Sequence, residues 1–165
     1  MGVTRHRYVV DGWGVGEVWA DEGVLVVHEL TFSRATGARR AVEHGARAND
    51  GFVPALCRRF EAHLGGEPVA YDDVAVDEGW CSPFQAELLG ALRAIPWGEV
   101  VSYGELAALA GRPGAARAAA SFCARNRFAL VVPCHRVVAA EGIGGYGSSG
   151  VGVKRRLLAL EGVRM

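Results

Sequence analysis

Residues 102–124 read SYGELAALAGRPGAARAAASFCA, and this stretch decides the fold of the carboxy-terminal half. Ser102 stands three residues before Glu105, the spacing of a capping box that opens a helix at Tyr103, and Gly111 after Ala110 supplies its stop. The short connection Gly111-Arg112-Pro113-Gly114 leads into a second helix, Ala115 to Ala124. Two helices joined this closely read as a helix-turn-helix. The second is faced with small residues, among them Ala116, Ala118 and Ser121, which let a partner's backbone approach closely. Arg117 lies in its first turns, with Arg125 and Arg127 beyond its far end, where cations meet phosphates. An Ala-rich hairpin alone is more simply a packed pair of good helix formers; the arginines favour a DNA-binding face.

On the amino-terminal side of that pair, Pro83 to Ala94 spaces Phe84, Leu88 and Leu92 on one helical face, and Pro96-Trp97-Gly98 ends it. On the other side, Phe128 to Val132 reads as a buried strand leading straight into Pro133-Cys134-His135-Arg136-Val137. Thiolate is the reactive form of cysteine, and a neighbouring basic group lowers the cost of making it; His135 and Arg136 both stand beside Cys134. Adjacent residues point to opposite faces of a strand and lie about 100° apart on a helix, so a bridging water or a turn must connect Cys134 with His135. The histidine needs a third group to fix its tautomer. Of the downstream acids, Glu141 and Glu161, the better candidate is Glu161, in a helix from Lys154 to Glu161. A Cys-His dipeptide by itself is more often a buried thiol beside a satisfied histidine.

The first half is patterned differently. Tyr8 to Val10, Gly14 to Ala20 and Val24 to Leu30 read as strands of a small antiparallel sheet, with Asp21-Glu22-Gly23 as a hairpin turn. Residues 33–50 read as an irregular connection, and Pro54 to Leu64 as a helix with Leu56, Phe60 and Leu64 on one face, stopped by Gly65-Gly66. The Gly-, Pro- and acid-containing stretch 65–79 separates the halves. The expected class is α/β: a small amino-terminal α/β domain over 1–79, then a mainly helical domain over 80–165 carrying the helix-turn-helix.

The chain's 165 residues, half of them hydrophobic and 22% charged, suffice for one domain or two small ones. No apolar run reaches the roughly 20 residues of a membrane span, and the start, MGVTRHRYVVDG, lacks a signal peptide's apolar stretch, so the expected location is the cytoplasm. Cys57, Cys81, Cys123 and Cys134 include no Cys-x-x-Cys pair; free thiols fit a reducing compartment. Net charge is zero, but residues 1–80 hold 8 Lys and Arg against 13 Asp and Glu, and residues 81–165 hold 10 against 5. The basic half is the better placed to meet a polyanion, although a difference of this size often arises by chance.

Taken in order, Phe84-Gln85, Ile95-Pro96-Trp97-Gly98-Glu99, Ser102-Tyr103-Gly104, Ala115-Ala116-Arg117-Ala118, Asn126, Pro133-Cys134-His135-Arg136-Val137, Gly144-Gly145-Tyr146 and Leu157-Leu158-Ala159-Leu160-Glu161-Gly162 resemble the O6-alkylguanine-DNA alkyltransferase family. Its members are also called methylated-DNA-protein-cysteine methyltransferases. The resemblance covers nearly all of residues 83–162; the first 80 residues match only in length and α/β character. It implies direct-reversal repair: irreversible, single-turnover transfer of an alkyl group, typically methyl, from O6-alkylguanine in double-stranded DNA to Cys134. A monomer without cofactor or membrane partner is implied, nucleoid-associated if the source is bacterial. His135 is then the water-bridged base, Glu161 its orienting partner, and Tyr103 the donor to the departing guanine's ring nitrogen. Arg117 fills the gap left by a flipped base. The helix bearing Ala116, Ala118, Ser121 and Arg125 enters a minor groove only about 6 Å wide. The carbonyls of Val137 and Cys134 read the exocyclic amine. Tyr146 and the loop 147–150, Ser148 included, cover the alkyl group, and Asn126 ties the recognition helix to the cysteine segment.

The chain departs from the family pattern in places. Arg127 stands where proline is usual, and Ala119, Ala120 and Ser121 stand where glycine is frequent. A tryptophan common after Phe84-Gln85 is absent, the region reading Ala86-Glu87-Leu88-Leu89, and the loop from Tyr146 to Lys154 is one residue longer. Some relatives hold zinc in the amino-terminal part, but His6, His28, His44, His63, Cys57 and Cys81 show no ligand spacing, and no metal is expected. Two other classes compete. Non-catalytic lesion-binding relatives replace the cysteine that is present here as Cys134. A thiol hydrolase built on Cys134 and His135 would turn over repeatedly and have no use for an arginine-bearing, small-faced helix.

Overall fold

Runs rich in valine and aromatic residues between Tyr8 and Leu30, broken by glycine-containing turns, form an antiparallel meander. A computed structural model of the chain describes residues 2–31 and 51–165; the connection expected over 33–50, and His44 within it, lie outside the described residues. The chain divides into two compact units, Met1–Asp77 with Arg127–Ala129, and Glu78–Asn126 with Leu130–Met165.

In the first unit, β1 (Thr4–Val10), β2 (Gly14–Asp21) and β3 (Val24–Thr31) pair in that order. Asp21 faces Val24, so Glu22-Gly23 closes a two-residue hairpin. Helix α1 (Phe52–Leu64) buries Val53, Leu56, Phe60 and Leu64 on one face. Each such side chain removed from water contributes about 1.5–3 kcal/mol. Phe60 stacks on His28 with ring centroids 3.8 Å apart and planes 1° from parallel, and the Tyr8 hydroxyl meets His28 Nε2 at 2.7 Å. The free edge of β3 is covered by two segments, which protects an otherwise unpaired strand edge. Leu25 exchanges backbone hydrogen bonds with Ala75 and Asp77 (2.8 Å each). His28 donates to the Arg127 carbonyl at 2.7 Å and accepts from the Ala129 amide at 3.2 Å. This pairing is why Arg127–Ala129 groups with the amino-terminal residues.

In the second unit, α2 (Pro83–Arg93) is capped by Ser82 and Gln85 in a reciprocal box, with Pro83 in the first turn where it forfeits no helical hydrogen bond. The box read at Ser102 and Glu105 is present: Ser102 N–H donates to Glu105 Oε2 at 2.6 Å and Glu105 N–H to Ser102 Oγ at 3.1 Å. It opens α3 (Tyr103–Leu109), and the chain turns through Gly111 and Gly114 into α4 (Ala116–Ala124). Helix α4 buries Ala119, Phe122 and Cys123, with Phe122 stacked on Trp80 at 5.8 Å. Helix α5 (Val151–Leu160) starts before the expected Lys154, and Glu161 occupies its C-cap. A two-residue parallel ladder, β4 (Val101–Ser102) against β5 (Val137–Val138), was not expected; it fastens the start of α3 beside the segment that follows Cys134.

The strand expected over Phe128 to Val132 is absent. Phe128 forms a single parallel bridge with His28, and Leu130 then takes φ +69°, a left-handed conformation costing a non-glycine residue roughly 1–2 kcal/mol. That bend ends the extended run. The Asn126 side-chain amide donates to the Val132 carbonyl at 2.8 Å, giving the loop the partner that a sheet would have supplied. All residues from 130 to 138 are nonetheless buried, so the apolar run reflects burial rather than sheet pairing.

Candidate active site

After the Leu130 bend, Pro133 has no N–H to offer a strand. The Cys134 amide donates back to Val132 O at 2.8 Å and the Arg136 amide to Pro133 O at 2.9 Å, closing a single 3-10 turn over Cys134–Arg136. This turn, not a strand or an α-helix, carries the cysteine and the histidine. Cys134 is 3% exposed and His135 fully buried.

His135 Nε2 lies 2.7 Å from Glu161 Oε1, with both side chains fully buried. Arg136 Nε donates to Glu161 Oε2 at 2.8 Å, its Nη2 donates to Oε1 at 2.9 Å and its Nη1 donates to the Ile95 carbonyl at 2.7 Å. Glu161, ion-paired to Arg136, accepts only. Nε2 of His135 therefore carries the hydrogen and Nδ1 the lone pair. Arg136, expected as a second basic neighbour of the thiol, instead serves Glu161.

Beside the turn lies a cavity of about 250 Å³. Cys134, Cys123 and Tyr103 line it, with Ala120 and Ala124 of α4 and the 145–147 segment completing the wall. Ligand pockets commonly run about 300–1,000 Å³, so this volume suits one planar ring system rather than an extended substrate. Two glycines make the close packing possible. A Cβ on Gly144, whose φ is +73°, would lie 3.0 Å from the Tyr103 hydroxyl, and one on Gly147, at φ +47°, 3.0 Å from the Ala124 carbonyl.

The electrostatics around Cys134 oppose each other. Burial, then the hydrogen bond and charge of neighbouring Cys123, push its thiol well above the usual range; the Lys154 cation and a hydrogen bond from Asn126 act the other way. Burial, with the two cysteines, raises the Tyr103 phenol as well. Lys154 is fully buried, and burial lowers its ammonium to about 8 while the two cysteines hold it up. Its Nζ donates to Val137 O at 2.6 Å and Gly145 O at 3.0 Å and lies 5.7 Å from the Tyr103 ring centroid. Lys154 and Cys123 are the site residues that sequence reasoning missed. The signal for Lys154 was its spacing, three and four residues before Leu157 and Leu158, which places it on the buried face of α5.

Tyr146 lines the same cavity, whereas Val137, Ser148 and Asn126 do not. The Val137 carbonyl accepts from Lys154, Ser148 is exposed, and the Asn126 amide donates to the Val132 carbonyl. On α4, Arg117, Ala118, Ser121 and Arg125 are exposed and Ala116 is half-buried, so the small and basic residues share the face opposite Ala119, Phe122 and Cys123.

Residues 83–163 match the family model for the DNA-binding domain of 6-O-methylguanine DNA methyltransferase. A methylated-DNA–protein-cysteine methyltransferase of Methanothermobacter thermautotrophicus is 35% identical over 155 residues, 92% of this chain and 81% of that one. The protein of the same description from Methanosarcina acetivorans is 42% identical over 69% of this chain and 72% of its own length. Among solved structures, the O6-methylguanine methyltransferase of Mycobacterium tuberculosis superposes with a TM-score of 0.74 at 31% identity, covering 98% of this chain and 95% of that one. A structure from that organism in complex with DNA gives 0.76 at 31% identity, covering 96% and 92%. Family model and relatives agree, and the chain belongs to the methylated-DNA–protein-cysteine methyltransferase family.

Proposed function

We propose that this chain repairs DNA by direct reversal, moving the methyl group of O6-methylguanine onto Cys134, once per molecule. The observation that carries the assignment is a buried cysteine facing a base-sized cavity, with a His135–Glu161–Arg136 chain behind it.

Burial keeps the Cys134 thiol protonated at rest. His135 takes the proton at Nδ1 through a bridging water, while Glu161 holds Nε2–H and stabilises the imidazolium that results. Lys154 and Asn126 favour the thiolate. Sulfur attacks the methyl carbon, the carbon–oxygen bond breaks, and the electron pair passes into the guanine ring. Tyr103, whose raised phenol keeps its proton, donates to the ring nitrogen where that charge develops. The product thioether has no leaving group that water displaces, so the protein is consumed.

Access to the base follows from α4. Helices α3 and α4 act as a helix-turn-helix whose exposed Arg117, Ala118, Ser121 and Arg125 meet the minor groove of double-stranded DNA, with Ala116 at the helix start. Arg117 occupies the place of the flipped nucleotide, and the small residues admit the narrow groove. Tyr146 and the following turn with Ser148 close over the alkyl group, while the Cys134 carbonyl, and that of Val137 through the lone pair Lys154 leaves open, accept from the guanine's exocyclic amine. Asn126 ties α4 to the cysteine turn. The protein acts as a monomer, without a cofactor. Among the described residues no helix is long and apolar enough to cross a membrane.

Titration with a duplex carrying O6-methylguanine tests the reading. Repaired guanine is expected to rise to one per protein and stop; continued turnover would overturn it.

A further inference from the structure

The transfer chemistry uses Cys134 and leaves a second buried thiol without a part. Cys123 sits on the inner face of α4, 9% exposed, and lines the same cavity as Cys134. Cys123 is also the neighbour that, after burial, acts most on the Cys134 thiol. By contrast, Cys57 and Cys81 line no part of this cavity. A lone buried cysteine is ordinary core packing, but two adjacent thiols opening on a cavity are a dithiol site. We propose that Cys123 and Cys134 form an intramolecular disulfide when an oxidant of the peroxide class enters the cavity, and that this bond reversibly blocks alkyl acceptance.

The chemistry balances in two steps. The Cys134 thiolate attacks one peroxide oxygen, the oxygen–oxygen bond breaks, and hydroxide leaves, taking up the thiol's proton as water; Cys134 is then a sulfenic acid. Cys123 sulfur attacks that sulfur, the sulfur–oxygen bond breaks, and the departing hydroxide leaves as a second water with the Cys123 proton. Two thiols are oxidised and one peroxide is reduced. Because the Cys134 thiol is protonated at rest, the first step draws on the same His135 base as alkyl transfer. The Lys154 cation favours the Cys134 thiolate that makes this attack.

The arrangement gives Cys123 a purpose. A sulfenic acid left alone proceeds to sulfinic acid, which thiols do not reverse, and a protein that works only once would be lost without repairing a lesion. A neighbouring thiol that captures the sulfenic acid converts this loss into a disulfide, which small thiols reopen.

Hydrogen peroxide is the probe. The native chain is treated, its remaining thiols are blocked with N-ethylmaleimide under denaturing conditions, and a tryptic digest is read by mass. Cleavage at Arg117, Arg125, Arg127 and Arg136 separates residues 118–125, with Cys123, from residues 128–136, with Cys134. The expected product joins these two peptides with the loss of two hydrogens. Methyl transfer is lost in step with it and returns after dithiothreitol. In Cys123→Ser, Cys134 instead gains oxygen atoms, and dithiothreitol returns a much smaller share of that variant's own untreated activity. Added oxygen on Cys134 in the unmutated chain without the linked pair, linkage of Cys134 to a different cysteine, or two thiols that still take up N-ethylmaleimide would each overturn the inference. Because the bond is read by mass, its absence would leave the transfer reaction standing.

Discussion

Replacing Glu161 with glutamine keeps the shape of the side chain and removes one acceptor, which forces a choice the native carboxylate never faces. Glu161 accepts from His135 Nε2, Arg136 Nε and Arg136 Nη2. In Glu161→Gln, if the amide oxygen turns toward Arg136 Nε, the amide hydrogens face His135 Nε2 and drive the ring proton to Nδ1, so Nδ1 no longer receives the thiol's proton. If the oxygen turns toward His135, the amide hydrogens face Arg136 Nε–H, donor against donor. In both orientations Arg136 keeps a buried charge without its counter-ion. Breaking one partner of a buried pair costs about 3–5 kcal/mol, within the roughly 5–15 kcal/mol of a typical domain, so the variant folds with reduced stability. Loss of a positioned general base slows the chemical step on the order of a hundred- to ten-thousand-fold. Rapid-quench measurement of methyl transfer under single-turnover conditions, at duplex concentrations that saturate binding, separates rate from affinity; urea unfolding gives the stability. A folded variant that binds the methylated duplex and transfers at the unmutated rate would refute the relay.

Other consequences are as specific. Arg117→Ala should lower transfer from a duplex on the order of a hundredfold, matching the few kcal/mol needed to extrude a base, while leaving transfer from a free modified guanine unchanged; equal loss on both substrates would remove Arg117 from base flipping. Lys154→Met replaces a buried cation with a side chain of similar length. It should slow transfer about ten- to a hundredfold with little loss of lesion binding, the loss expected when a charged interaction that favours the Cys134 thiolate is removed. His28 is lowered to about 4 by burial, against an ordinary value near 6.5. The unfolded chain therefore takes up the proton first, and stability present above about pH 6.5 falls as pH drops toward 4, by about 3 kcal/mol in all. Urea midpoints at neutral pH and in that acid window should differ more for the unmutated chain than for His28→Gln; the same difference in both would exclude His28 as the titrating group.

What could be read from sequence was local. The Ser102–Glu105 box and the Leu56–Phe60–Leu64 face depend on residues three or four positions apart, and both appear as expected. A histidine beside the thiol needs a carboxylate; of the two downstream acids, Glu141 and Glu161, the structure places an oxygen of Glu161, the one expected in the last helix, 2.7 Å from the ring. Phe128 to Val132 was misread because five buried apolar residues look alike in a strand and in a folded loop. Nothing local announces that Leu130 will bend back or that Asn126 will satisfy Val132. The pairing of Arg127–Ala129 with β3 joins positions about a hundred residues apart and leaves no local trace. Lys154, followed by Arg155 and Arg156, looks like part of a solvated basic turn, yet its ammonium is turned inward against two carbonyls.

The central claim is that sulfur of Cys134 becomes the methyl carrier. After incubation with a duplex containing O6-methylguanine, the tryptic peptide 128–136 should gain one methyl group on Cys134, with peptide 118–125 unchanged and no gain anywhere in Cys134→Ala. A methyl group on Cys123, or a repaired duplex with peptide 128–136 unmodified, would contradict the account.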